Sequence, residues 1–173
     1  SDVLLGLDNN LIGKARTEKV LADYKPKDAD KIIREGLHEA FGKDWILTPF
    51  DYSQFALIYD TQSNVPAPAS LEDLTKPEYA KKVILMDPRT STPGLGFLAW
   101  TVAVFGDGYA DYWKALKPSV LTMSPGWSAG YGLFTAGEAP LVISYMTSPA
   151  YHVYAENTER YKALVFAERH VQQ

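Results

Sequence analysis

Three short stretches carry residue types able to hold an anion or a flat cation. They are Thr90-Ser91-Thr92-Pro93-Gly94, Ser124-Pro125-Gly126-Trp127-Ser128 and Tyr145-Met146-Thr147-Ser148-Pro149. Each places hydroxyls beside a Pro or Gly at which a helix can start. The first N–H groups of a helix lack partners inside it and carry partial positive charge, which suits an anion. Trp127 and Tyr145 add ring faces, which suit a flat or cationic group. Each junction taken alone also reads as ordinary helix capping. Trp127 also reads as a core residue, and Tyr145 as a cap on the core. The residues by themselves leave both readings open.

Other chemistry is more weakly signalled. The histidines are His38, His152 and His170. His152 follows Ser148 by one helical turn, so the two can touch, but no orienting acid and no Gly-x-Ser-x-Gly elbow accompanies them. Thr92-Pro93-Gly94-Leu95-Gly96 lacks the Lys of a phosphate-binding loop and the spacing of a dinucleotide fingerprint. No close His/carboxylate cluster suggests a metal, and Glu138, Glu156 and Glu159 read as solvated charges. Cysteine is absent, which removes disulfides, thiolate zinc sites and Cys nucleophiles. A net charge of −4 with interspersed signs argues against nucleic acid. No stretch approaches the ~20 apolar residues of a membrane span, and no signal peptide is visible.

The elements that must position these junctions alternate between strand and helix. Strands are expected at residues 3–7, 50–59, 83–86, 120–123, 141–145 and 164–166. A helix is expected over residues 28–41, with Ile33, Leu37 and Phe41 on one face and Asp28 or Asp30 as its cap. Ser70 caps a short helix that Pro77 interrupts. The next helix begins at Thr92 or Pro93, presents Leu95, Leu98, Val102 and Phe105 as its apolar face, and stops at Gly106. A second stripe, Tyr109, Tyr112, Trp113 and Leu116, ends at Pro118. Further helices follow Ser128 and Pro149. The pattern predicts an α/β domain with a largely parallel sheet. In such a sheet the three junctions share the carboxyl edge, where ligands bind. The chain opens in a strand, which predicts a truncated or processed piece.

Several blocks together resemble a known family. They are Gly6-Leu7-Asp8-Asn9-Asn10, Pro49-Phe50-Asp51-Tyr52, Asp87 through Gly96, Gly126-Trp127-Ser128, Tyr131-Gly132-Leu133-Phe134 and Ser148-Pro149-Ala150-Tyr151-His152. In order and spacing they resemble the thiamine-binding periplasmic proteins of bacterial ABC importers. The resemblance implies an α/β fold of the periplasmic-binding-protein-like II type, mostly one lobe with a mainly parallel sheet flanked by helices, plus hinge strands. It implies residues 1–50 as a fragment of the first lobe, 51–166 as the second lobe and 167–173 as the start of a return crossover. It implies a binding protein rather than an enzyme, periplasmic, with no cofactor. The implied ligand is thiamine, thiamine monophosphate or thiamine diphosphate, delivered to an ABC permease of the inner membrane. Ser91 and Thr92 would hold the phosphate or hydroxyl end, and Trp127 would pack on the ligand. Tyr145, Met146, Thr147 and Ser148 would form a third wall, with Tyr151 as a stacking ring. Met146 stands where a small polar residue is usual, so only its backbone is carried over. A ferric-iron-binding relative is the alternative, and a phosphate-ester hydrolase a more distant one.

A stacked Trp or Tyr contributes about 0.5–2 kcal/mol to holding a cation. A charge-assisted bond contributes about 1.5–3 kcal/mol. Nanomolar binding needs about 12 kcal/mol net. One lobe falls short of that, so weak binding is expected of this chain alone. Uncovered apolar edges also favour self-association.

Overall fold

The computed structural model describes residues 3–37, 39, 42 and 44–168. Two compact units divide the chain between Tyr52 and Ser53. In the first, α1 (Ile12–Glu18) follows a turn in which the Asn10 N–H donates to Asp8 Oδ1 at 2.9 Å. A fork between Arg16 and Asp44 ties α1 to a later segment, and the Tyr24 N–H donates to the Trp45 carbonyl. Residues 3–7 form no strand: an apolar run needs a ladder neighbour, and Leu4 and Leu5 stand exposed. The helix expected over residues 28–41 shrinks to α2 (Ala29–Ile32). Ile33 is extended and Gly36 takes a positive φ of 83°, so the regular spacing of Ile33 and Leu37 has no helix to lie on. Asp28 caps α2 with its backbone carbonyl rather than its side chain, and itself adopts a left-handed φ. His38, Phe41 and His170 lie outside the described residues.

The second unit is built on one sheet. In chain order its elements begin with β1 (Phe55–Asp60), then turns of 3-10 helix at Glu72–Thr75 and Pro77–Tyr79. Next come β2 (Val83–Met86), α3 (Thr92–Phe105), α4 (Tyr109–Leu116) and β3 (Val120–Ser124). The unit closes with α5 (Trp127–Thr135), β4 (Leu141–Tyr145), α6 (Ser148–Glu156) and β5 (Tyr161–Ala163). The strand order is β3-β2-β4-β1-β5, with β2 parallel to both β3 and β4, and β1 antiparallel to β4 and β5. The continuous apolar runs of β2 and β4 are buried because helices cover the sheet. Two of the expected strands move. The segment 50–59 runs as a strand only from Phe55, after an isolated bridge at Gln54, and the last strand lies at Tyr161–Ala163 rather than 164–166. Leu164 still donates its N–H to Leu57, while Phe166 turns onto Trp100 at 5.6 Å.

Helix α3 has the expected limits, with Pro in its first turn and Gly106 at its end, but buries another face. Pro93, Gly94, Gly96, Phe97, Trp100 and Thr101 face inward, while Val102 is exposed. The cause is space. A Cβ at Gly96 would lie 2.3 Å from the Phe55 ring, and one at Gly94 would lie 2.3 Å from the Met86 carbonyl oxygen. The helix therefore approaches the sheet along its glycines, a face that hydropathy does not mark. In α4, Tyr112 and Leu116 are buried as the stripe requires, and the Tyr112 hydroxyl donates to the Leu71 carbonyl at 2.9 Å.

Candidate functional site

The parallel direction of β3, β2 and β4 brings all three strand-to-helix junctions to one edge of the sheet. The start of β1 reaches the same edge, because Phe55 pairs with Tyr145. The junctions are bonded to one another. The Thr90 hydroxyl donates to the Pro125 carbonyl at 2.7 Å, joining the first loop to the second. Trp127 Nε1 donates to Ser144 Oγ at 2.8 Å, and Ser144 Oγ lies 2.8 Å from Ser148 Oγ, joining the second to the third.

Between the second and third junctions lies an open pocket of about 330 Å³, lined by Trp127, Tyr131, Tyr145, Thr147, Ser148 and Tyr151. None of these residues is charged, so the pocket offers rings and hydroxyls only. Trp127 stacks on Tyr131 with centroids 5.0 Å apart and planes at 22°. Tyr145 leans on Phe55 at 5.5 Å, which fixes it to the start of β1. Tyr151 projects from α6 and is largely exposed. Thr147 Oγ1 lies 3.5 Å from Ser53 Oγ, at the beginning of the segment that leads into β1.

Of the residues singled out in the sequence, Trp127, Tyr145, Thr147, Ser148 and Tyr151 meet in this pocket. Ser91, Thr92 and Met146 do not line it. Ser91 is the N-cap of α3 with extended backbone, but its hydroxyl makes no cap bond, and its oxygen is buried without a hydrogen-bond partner among the described residues. Thr92 is the first residue of that helix and is half-buried. Met146 packs against the core and donates its N–H to the Gln54 carbonyl at 2.8 Å. Ahead of α3, Asp87 accepts from the Arg89 N–H at 2.9 Å and from its guanidinium. This shapes the first loop as an Asx turn.

Tyr131 is the lining residue that pattern reading did not assign to the site. Behind it, His152 is 2% exposed, with Nε2 2.9 Å from the Tyr131 hydroxyl and Nδ1 2.6 Å from Glu156 Oε2. Glu156 is therefore bonded, not merely solvated, and His152 reaches Tyr131 and Glu156 instead of Ser148. The one-turn spacing of His152 and Glu156 was available in the sequence. The Tyr131 link, which crosses from α5 to α6, was not. Burial pushes the Tyr131 phenol up to about 12.

A larger groove of about 530 Å³ lies within the first unit, lined by residues that include Pro26, Ile32, Phe50 and Tyr52. It contains none of the junction residues.

Residues 1–168 match the bacterial extracellular solute-binding protein family. The chain belongs to that family. It is 46% identical over 168 residues to the thiamine-binding periplasmic protein of Brucella abortus biovar 1 (strain 9-941), covering 97% of this chain and 49% of that relative. To the thiamine-binding periplasmic protein of Escherichia coli (strain K12) it is 42% identical over 170 residues, covering 98% and 50%. A solved periplasmic thiamin binding protein superposes with a TM-score of 0.87 at 41% identity, covering 100% of this chain and 53% of that one. The periplasmic binding protein AfuA from Actinobacillus pleuropneumoniae superposes at 0.79 with 19% identity, covering 94% and 53%, which speaks to the fold alone. The architecture of this solute-binding family member is thus that of type II periplasmic binding proteins. The chain spans about half the length of the curated relatives it matches.

The first junction yields a pH prediction. The Arg89 guanidinium, hydrogen-bonded to Asp87, holds that carboxyl down to about 2. Its folded value lies below the ordinary ~3.9, so the unfolded chain takes up the proton first as pH falls. The pairing thus supports the loop fully above about pH 4 and is lost as pH drops through 2. Carboxyl-detected NMR is expected to place the Asp87 midpoint near 2, and Arg89→Ala to return it toward the ordinary value. A midpoint near 4 in the parent chain would refute the pairing.

Proposed function

We propose that this chain is the ligand-holding second-lobe portion of a periplasmic solute-binding protein that captures thiamine or its phosphate esters and passes them to an ABC permease. The observation that carries the reading is the uncharged aromatic pocket at the carboxyl edge of the sheet, in a chain 46% identical to a relative named for thiamine binding. Thiamine presents a permanently cationic ring, and stacked indole and phenol faces attract such a ring without a countercharge. Trp127, Tyr131, Tyr145, Thr147, Ser148 and Tyr151 take the ring system on this reading. Ser91 and Thr92, at the start of α3, take the hydroxyl or phosphate end. Met146 has its N–H committed to Gln54, so on this reading its backbone contact with the ligand is made by the carbonyl. Binding makes and breaks no bonds, so no catalytic group is required. The names of the relatives favour this reading over ferric iron or phosphate-ester hydrolysis.

The test is an NMR titration of the chain with thiamine, its mono- and diphosphate, and ferric iron. Ligand at about 10 mM fills most of even a millimolar site. Saturable shifts at Trp127, Tyr131, Ser148 and Tyr151 with a thiamine compound are expected. No response to any thiamine compound, or a visible tyrosinate band with iron, would overturn the reading.

A further inference from the structure

The loops after β2 and β3 leave the sheet side by side. Asp87 continues the pairing of these strands one step further, donating its N–H to the Ser124 carbonyl at 2.8 Å. Beyond that step the loops part, and the Thr90 hydroxyl donates to the Pro125 carbonyl at 2.7 Å. Pro125 lies two residues before Trp127, and Thr90 lies one residue before Ser91, the N-cap of α3. The bond therefore ties the start of α3 to the start of the helix that carries the indole of the pocket.

The two loops are not equally firm. The first is held on both sides of Thr90. Before it, the Asp87 carbonyl accepts from the N–H groups of Thr90 and Ser91 at 3.1 and 3.0 Å, and the Asp87 carboxylate accepts from the Arg89 N–H. After it, Gly94 seats α3 on the backbone of Met86. A threonine side chain is also restricted about χ1, so its hydroxyl leaves this frame in few directions. The second loop has fewer supports. Pro125 has no N–H to donate. Gly126 is extended, and beyond its chain neighbours nothing lies within 4 Å of where a side chain would start. A local bond runs from the Ser124 hydroxyl to the Gly126 carbonyl at 2.9 Å. The bonding of α5 begins at that same Gly126 carbonyl, which accepts from the Gly130 N–H. The Pro125 carbonyl precedes it and meets its donor in Thr90. The firm loop thus places the compliant one.

Thr90 and Pro125 are both exposed, and Thr90 does not line the pocket. A hydrogen bond in contact with water adds little to stability, because water can replace either partner. What this one fixes is geometry. The Trp127 ring is held from β4 by Ser144 and along α5 by Tyr131, and its backbone is held from the first loop through Pro125.

We infer that Thr90 is a positioning residue of the pocket: without touching the ligand, it sets where the Trp127 ring stands relative to the start of α3, and with it the affinity for a cationic ring. The inference rests on the pocket being the ligand site.

Nitrogen-15 NMR of the tryptophan-labelled chain tests the placement with no ligand present. Thr90→Val keeps the shape of the side chain and removes the hydroxyl. The Trp127 indole signal, assigned by its loss in Trp127→Phe, is expected to shift, while those of Trp100 and Trp113 stay in place. Trp100 is fully buried, and Trp113 Nε1 donates to Thr101 Oγ1 on α3, so both report on the core behind the loops. Thr90→Ser, which keeps the donor, is expected to restore the parent signal. Titrated with thiamine, Thr90→Val is expected to bind about 2- to 5-fold more weakly at a parent-like melting temperature, and Thr90→Ser to regain the affinity. Thiamine monophosphate is expected to lose the same factor. An unmoved Trp127 indole or parent-like thiamine affinity in Thr90→Val overturns the inference. So does movement of all three indoles together, which marks general loosening. A loss confined to the phosphate ester overturns it as well, because Thr90 would then meet the ligand itself. A parent chain without any thiamine response rejects the ligand reading, while the indole signals still decide whether Thr90 places Trp127.

Discussion

Gly94→Ala is expected to lower the unfolding free energy by about 2–3 kcal/mol, even though alanine is the better helix former by about 1 kcal/mol. The added methyl would sit 2.3 Å from the Met86 carbonyl oxygen and 2.8 Å from the Asp87 carbonyl carbon. Both are backbone atoms where β2 ends, so no side chain can swing aside. The start of α3 must lift from the sheet, and Phe97 and Trp100, both essentially fully buried, lift with it. Gly96→Ala meets the Phe55 ring at 2.3 Å, and Phe55 in turn supports Tyr145, so that variant is expected to disturb the pocket as well. Gly132→Ala is the control. It lies in α5 with nothing near its missing Cβ, and is expected to stabilise the chain by up to about 1 kcal/mol. Urea titrations that follow the midpoint at constant slope separate these outcomes. A Gly94→Ala chain within about 0.5 kcal/mol of the parent would mean that α3 does not seat on its glycines.

The same glycines explain why the limits of α3 could be read from the sequence but its buried face could not. A Thr-Pro start and a Gly stop are local signals, and they placed the helix at Thr92–Phe105. Which side turns inward is decided by how closely two backbones approach, and hydropathy gives glycine no weight in that decision. Strands β2 and β4 were legible because both faces are buried, which leaves an unbroken apolar run. Residues 3–7 show a similar run but join no ladder, and the regular spacing over residues 28–41 lacks a helix to carry it. Both readings relied on local pattern where tertiary partners decide.

The site divides in the same way. Strand-then-cap junctions in series predict a shared sheet edge, and the pocket lies there. The bonds that join the junctions were not legible, since Thr90 to Pro125 and Trp127 to Ser144 span the chain and depend on side-chain direction. Glu156 shows the limit most clearly. Its spacing from His152 is a helical turn, yet its significance depends on Tyr131, which sits on another helix.

Trp127→Ala is expected to weaken thiamine binding about tenfold to thirtyfold, the range a desolvated ring over a cation can supply. The indole does two separable things. Its face lines the pocket while stacked on Tyr131 at 5.0 Å, and its Nε1–H donates to Ser144 Oγ. Trp127→Phe keeps a ring and removes the proton. Ser144, fully buried, then loses a donor to its oxygen, which is expected to weaken binding about threefold. Comparing the variants in the same NMR titration assigns the effect. If Trp127→Phe falls as far as Trp127→Ala, the N–H rather than the ring face holds the site together. Parent-like affinity in Trp127→Ala would remove this residue from the ligand's contacts altogether. Trp127 is 40% exposed, so its truncation leaves no closed cavity in the core, and a loss of binding with an unchanged melting temperature reads as contact rather than unfolding.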